Sequence, residues 1–119
     1  MDHNVLAVTA RMNKIAQFSA DCIDVLDVIL ARKRVSKSRV RKLEQYRLYF
    51  NALKSDVVFG RLAEHSIEVL DKLIELIAIN NAGGSSDLLN AKADEISELM
   101  KEDDKIMTEI ERKVGINGV

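Results

Sequence analysis

Residues 4–33 read NVLAVTARMNKIAQFSADCIDVLDVILARK. Apolar or small side chains recur along this stretch at intervals of three and four residues: Val5, Val8, Met12, Ile15, Ser19, Cys22, Leu26 and Ile29. This spacing is typical of one face of an α-helix, and Ile23 and Leu30 widen that face. A helix of this length spans about 45 Å at 1.5 Å per residue, so we expect equally long partner helices.

Three further amphipathic segments follow the first helix. We predict helices over about 37–56, 57–80 and 86–113, with a glycine-rich loop at 80–86. Gly60 either kinks or separates the second and third helices, and we favour a break. Gly115 and Ile116 are typical of a helix stop. The candidate N-terminal caps are Ser36 or Ser38, Ser55 or Asp56, and Ser85 or Ser86.

The apolar positions of these segments define a predicted core. They are Val40, Leu43, Tyr46, Phe50, Leu53 and Val57, then Ala63, Ile67, Leu70, Ile74 and Ile77, then Leu89, Ala93, Ile96, Met100, Met107, Ile110 and Val114. The composition is 47% hydrophobic and only 4% aromatic, so the core is expected to be aliphatic. We predict one all-α domain over residues 1–119, an antiparallel bundle of three to four long amphipathic helices. Wide apolar stripes on the first and third helices favour an oligomer.

Several features bear on the compartment. The start of the chain lacks the basic and continuous apolar regions of a signal peptide, and no stretch approaches the roughly 18 apolar residues of a membrane span. The single cysteine, Cys22, cannot form a disulfide within the chain. We therefore expect a cytoplasmic protein that does not enter a membrane.

A block of positive charge is the strongest functional signal. It comprises Arg32, Lys33, Arg34, Lys37, Arg39, Arg41, Lys42 and Arg47. Residues 32–61 carry a net charge of +8, although the whole chain carries −1. Cations at the start of a helix oppose the helix dipole, which indicates another role for them, such as binding an anion.

Three interpretations of the basic block stay open: a solvated helix face, a site for the phosphate backbone of DNA or RNA, and a surface for an acidic protein partner. We predict a small non-enzymatic binding protein that self-associates and presents the basic helix 32–47 to nucleic acid phosphates. The alternative is a protein-interaction module (an adaptor, chaperone or inhibitor) that docks an acidic partner. Tyr46 and Tyr49 lie near enough along the chain to stack on bases, although Tyr46 is on the apolar stripe.

No catalytic, metal or cofactor motif is apparent. Cys22 is predicted to be a small core residue, and His65 a surface histidine in a charged stripe. The segment 80–86 lacks the lysine and spacing of a phosphate-binding loop and is interpreted as a connector. The acidic run 94–111 is interpreted as a solvated helix face with local lysine pairs.

Overall fold

The computed structural model describes residues 3–114, with side chains from residue 6 onward, and these residues form four α-helices. They are α1 (His3–Leu30), α2 (Lys37–Leu53), α3 (Gly60–Asn81) and α4 (Ser86–Val114). The predicted all-α bundle is confirmed. The predicted helix stop at residues 115–116 lies outside the described residues, as does the side chain of Val5.

Consecutive helices of the bundle run antiparallel. Phe18 of α1 packs edge-on against Tyr46 and Phe50 of α2, with ring centroids 5.1 and 4.9 Å apart. α3 packs between α2 and α4, and α1 contacts the other three helices, whereas α2 and α4 do not touch within the described chain. The molecule measures 51 by 23 by 20 Å. Because consecutive helices are antiparallel, connections 31–36 and 82–85 share one end of the bundle, and connection 54–59 lies at the opposite end.

The core is mainly aliphatic, as the composition predicts, although it also contains the buried rings of Phe18, Tyr46, Phe50 and Phe59. Cys22 and Leu73 are completely buried, which confirms the predicted placement of the cysteine. Val57, predicted to face inward, is instead fully exposed because it lies in connection 54–59. Ile23 and Leu30 are 50% and 48% exposed, so the apolar face of α1 is wider than the surface that the other helices cover. None of the helices in the described part of the chain is long and apolar enough to cross a membrane.

α1 ends at Leu30, three residues earlier than predicted. Arg32 adopts a left-handed backbone conformation with φ of 59°. The N–H of Lys33 then donates to the carbonyl of Val28 at 3.1 Å, which is the hydrogen-bond pattern of a helix stop. This reversal starts the connection that carries the first basic residues.

Connection 54–59 separates α2 from α3, which confirms the predicted break. The Asp56 carboxylate accepts hydrogen bonds from the N–H groups of Val58 and Phe59 at 2.8 and 2.9 Å. A Cβ atom added to Gly60 would lie 2.5 Å from the carbonyl oxygen of Lys54. The chain can therefore turn tightly here only because residue 60 is a glycine. α2 consequently ends three residues before its predicted limit, and α3 begins three residues after its own.

The acidic run on α4 is largely solvated, as predicted. Lys101 and Lys105 pair locally with glutamates on their own helix, at 3.0 and 3.3 Å. Lys92 differs because it reaches Glu75 of α3 at 3.2 Å. The acidic face of α4 is thus partly neutralised within the described chain.

Candidate nucleic-acid interface

Two asparagines at the end of α3 anchor the loop between α1 and α2. The side-chain oxygen of Asn81 accepts a hydrogen bond from the N–H of Val35 at 3.0 Å, and its amide group donates to the carbonyl of Val35 at 3.1 Å. Asn80 donates to the carbonyl of Lys33 at 2.8 Å. The side chain of Val35 is only 2% exposed. The backbone that carries Lys33 and Arg34 is therefore held in place by hydrogen bonds to α3 and by the burial of the Val35 side chain.

The start of α2 continues this basic surface. Ser36 is the N-cap, and its hydroxyl accepts a hydrogen bond from the N–H of Arg39 at 3.2 Å. Of the two predicted cap residues, the structure thus uses Ser36. Lys37, Arg39 and Arg41 are exposed on the first turns, and the first turn of α2 carries no acidic residue.

Two of the predicted phosphate-binding residues are engaged by carboxylates. Arg47 lies 2.9 Å from Glu44 and 2.6 Å from Asp71 of α3. The hydrogen bonds with Glu44 and then with Asp71 raise the pKa of this guanidinium above its already high usual value. Lys42 lies 3.3 Å from Asp21 of α1. Arg47 and Lys42 therefore form ion pairs between helices of the bundle, although both belong to the basic block predicted from the sequence.

Arg32 also has partners within the bundle. Its guanidinium donates to the hydroxyl of Ser86 at 3.1 Å and to the side-chain oxygen of Asn90 at 3.4 Å. These contacts connect the end of α1 to the start of α4. Arg32 consequently lies beside the remaining basic residues but points away from α2.

The other five predicted residues form the basic tip of the bundle: Lys33, Arg34, Lys37, Arg39 and Arg41. None of them lies within 4.0 Å of a carboxylate oxygen among the described residues. Ion pairs engage eight of the twelve lysines and arginines outside residues 32–41 but none of the six inside this range, counted over the described chain. The structure therefore concentrates uncompensated positive charge at this end.

The tyrosines near the basic block do not form a stacking platform. Tyr46 is 5% exposed and donates its hydroxyl to Asp21 at 2.5 Å. Burial and this hydrogen bond raise the pKa of Tyr46 above its usual range. Tyr49 is half-buried, with the ammonium group of Lys14 5.7 Å from its ring centre. Tyr46 is thus a core residue, as its place on the apolar stripe predicts.

His65 is not the surface histidine that its charged neighbours predict. Its side chain is 18% exposed, and its Nδ1 atom is hydrogen-bonded to Asp103 of α4, whose side chain is 5% exposed. Burial raises the pKa of Asp103 to about 6, and the hydrogen bond with His65 opposes that rise. Asp103 occupies the stripe position between Met100 and Met107, and a charge at such a position requires a buried partner.

This pair does not extend into a metal centre. Within residues 3–114, no group of three or more histidine, cysteine, aspartate or glutamate side chains is arranged to hold a metal ion. The hydroxyl of Ser66, the neighbour of His65, is buried without a hydrogen-bond partner among the described residues. The pair therefore links α3 to α4 inside the bundle and is remote from the basic tip.

No protein-family model, no curated protein and no solved structure matches this chain. Function is therefore inferred from the basic tip and its surroundings.

Proposed function

We propose that this chain is a non-enzymatic binding protein whose basic tip contacts the phosphate backbone of a nucleic acid. The observation that carries the proposal is the set of five cations that have no carboxylate partner among residues 3–114, on a loop and helix start that are anchored to α3. Each lysine or arginine that neutralises a phosphate releases a condensed counterion, which favours binding at low salt.

The anchored loop supports this proposal over a merely solvated surface. Hydrogen bonds from Asn80 and Asn81 fix the backbone that carries Lys33 and Arg34. A binding surface that is already ordered loses less conformational entropy when its ligand arrives. Cations at the start of α2 oppose its dipole, whereas a phosphate placed there would interact favourably with both the dipole and the cations.

Self-association is part of the same proposal. Its support is the half-exposed pair Ile23 and Leu30, which line an open groove between α1 and α4. Linking several tips would convert a weak contact by each chain into a stronger one by the assembly. The light-scattering mass of the Ile23→Ser, Leu30→Ser double variant tests this: a fall from oligomer to single-chain mass supports it, and a single-chain mass before substitution contradicts it.

We also propose a cytoplasmic location, on the basis of the unpaired cysteine.

Titration of labelled DNA and RNA at 50 and 200 mM salt tests phosphate binding. If all five tip cations contact phosphates, affinity for duplex DNA should fall roughly 500-fold over this interval, at a slope of about −0.9 per contact. The Arg39→Glu, Arg41→Glu double variant should lose binding at 50 mM salt. The matched control is Lys101→Glu, Lys105→Glu, which makes the same charge change on α4.

Absence of binding at 50 mM salt by the unmodified chain would overturn the proposal. The basic tip would then be assigned to an acidic protein partner, which is the alternative that the charge complementarity allows. A pull-down with the same two double variants distinguishes that case, because the acidic partner should be lost only with the substitutions at Arg39 and Arg41.

A further inference from the structure

The exposed side of α1 carries a second row of residues spaced by three and four, which we call the outer row. It begins with six exposed residues: Leu6, Thr9, Asn13, Ala16, Ala20 and Ile23. Asp27 and Leu30, also exposed, continue it with the same spacing to the end of the helix. Such a row lies along one side of a helix, so α1 offers a second helix-packing face about 36 Å long.

Most of the outer row lies on an uncharged surface. Among the exposed residues of α1 from Leu6 to Ile23, only Lys14 is charged. Its ammonium group lies 5.4 and 5.7 Å from the ring centres of Tyr46 and Tyr49, on the side of α2. On α4, by contrast, most of the exposed residues are charged. An uncharged face with a 67% exposed leucine at its start suits an apolar helix better than a nucleic acid or a charged protein surface.

The outer row is complementary to its own reverse. If two copies of α1 run antiparallel and cross midway between Ala16 and Ala20, these alanines lie opposite each other in the two copies. Leu6 of each copy then lies opposite Leu30 of the other, and the small residues at the crossing allow a close approach of the helices. We propose that the outer row is the surface of self-association and that α1 of a second copy packs on it in this antiparallel register. This inference rests on the self-association within the proposed function and names its surface and geometry.

Charge favours the antiparallel pair over the parallel one. In a parallel pair, Asp27 would lie opposite its own copy, and two basic tips of five cations each would lie at the same end. In the antiparallel pair, Asp27 lies opposite Thr9, whose hydroxyl can donate a hydrogen bond to the carboxylate. The tips then lie at opposite ends, about 40 Å apart along the helix axes. This distance is well beyond the Debye length of about 8 Å at physiological ionic strength.

The polar positions of the outer row determine the expected strength of the pair. Asn13 lies opposite Ile23 in the antiparallel register, and Thr9 and Asp27 are polar as well. A polar side chain in a helix–helix seam restricts the register but lowers stability. We therefore expect a reversible dimer whose light-scattering mass rises with concentration.

Cysteine cross-linking tests the antiparallel register. Ala16→Cys and Ala20→Cys are made as separate variants, and one of them is isotopically labelled so that mass distinguishes mixed dimers from like dimers. Native Cys22 is completely buried and should not take part. Under mild oxidation, we expect mixed disulfide dimers to form at least tenfold faster than like dimers. Ala52→Cys, at an exposed position of α2, should not cross-link with Ala16→Cys.

Light-scattering mass tests the same face without added thiols. Ala20→Glu places a carboxylate on the uncharged part of the outer row. We expect it to raise the dissociation constant of the dimer at least tenfold while the helical circular dichroism is retained. The matched control is Ala52→Glu, which makes the same change on α2 and should leave the mass unchanged.

The possible failures are distinguishable. A single-chain mass for the unmodified chain at all concentrations up to 1 mM overturns self-association and this inference together, whereas the salt titrations test phosphate binding separately. A dimeric mass with faster formation of like dimers shows a parallel pair, and a dimeric mass without cross-linking shows another face. Either result overturns this inference but leaves self-association intact. Mixed dimers without nucleic-acid binding at 50 mM salt would support the antiparallel pair and contradict the phosphate site.

Discussion

Asn81 hydrogen-bonds both backbone polar groups of Val35, so one side chain at the end of α3 fixes the loop between α1 and α2. The two residues are 46 positions apart, and the contact resembles the pairing of one strand residue with another. It joins the basic tip to the buried core because Val35 is itself 2% exposed. The position of the tip cations is thus set by a residue that carries no charge.

Replacement of Asn81 by alanine should release this loop. The substitution leaves both polar groups of Val35 without their partner, which typically costs about 1–3 kcal/mol of the free energy of unfolding. We expect faster hydrogen exchange at the Val35 amide and weaker DNA binding, although no cation is removed. Asn51→Ala, at an exposed position of α2, is the control. Unchanged exchange at Val35 would show that the loop does not depend on Asn81.

Arg41 and Arg47 belong to the same basic block but should behave differently when replaced by alanine. Arg41→Ala removes a tip cation, so the slope of log affinity against log salt should fall by about 0.9 in magnitude, with stability unchanged. Arg47→Ala removes the pairs with Glu44 and Asp71, so it should cost about 1 kcal/mol of stability and leave the salt slope unchanged. Salt titrations and urea unfolding measure both quantities. A smaller salt slope for Arg47→Ala than for the unmodified chain would show that Arg47 also contacts phosphates.

Asp103 should make stability depend on pH. Burial raises its pKa to about 6, whereas an aspartate in an unfolded chain titrates near 4. The folded state therefore binds this proton more tightly, and the contribution of Asp103 to the free energy of unfolding falls as the pH rises from about 4 to 6. Asp103→Asn removes this titration. Relative to the unmodified chain, the variant should gain up to roughly 3 kcal/mol over this interval, at 1.36 kcal/mol per pKa unit.

Urea unfolding at pH 4.5, 5.5 and 6.5 measures this difference. Asp104→Asn is the matched control because the next residue carries the same carboxylate on the exposed side of α4. The difference between Asp104→Asn and the unmodified chain should vary far less with pH, because the charge of Asp104 raises the Asp103 pKa less than burial does. A parallel pH dependence for the two variants would show that burial does not raise the Asp103 pKa.

Gly60→Ala should lower the melting temperature. Alanine normally stabilises a helix relative to glycine by up to about 1 kcal/mol. Here, however, the new Cβ would lie 2.5 Å from a backbone oxygen of Lys54, so overpacking should dominate with a cost of about 1–3 kcal/mol. Ser55→Ala, exposed in the same connection, should change the melting temperature little. A higher melting temperature for Gly60→Ala would mean that the connection shifts freely.

The helices could be predicted from the sequence because burial of one face leaves a period in the apolar residues. Their ends could not be placed to the residue. The end of α1 depends on the left-handed backbone of Arg32, a conformation that glycine or asparagine adopts more readily than arginine. Gly60 predicts the break before α3, but the position of the break depends on the hydrogen bonds that Asp56 makes within the turn.

The sequence predicts that the candidate site is positively charged, but it does not predict which of the basic residues belong to it. The sequence shows that residues 32–47 are basic, yet Asp71 and Asp21, which engage Arg47 and Lys42, become neighbours only through folding. The anchoring role of Asn81 left no signal beyond two adjacent asparagines, which also suit a loop. Asp103 is a charged residue on the otherwise apolar stripe of α4, and this exception is a signal in the sequence from which a buried partner could be inferred.

The complete burial of Cys22 makes the reactivity of its thiol a measure of how often the core opens. It is the only thiol of the chain, and burial raises its pKa, which disfavours the thiolate that reacts with alkylating reagents. A reagent can reach this sulfur only when the packing around it opens, whether α1 detaches locally or the bundle unfolds as a whole. The rate of alkylation under native conditions therefore reports how often this part of the core opens, without any introduced label or change of sequence.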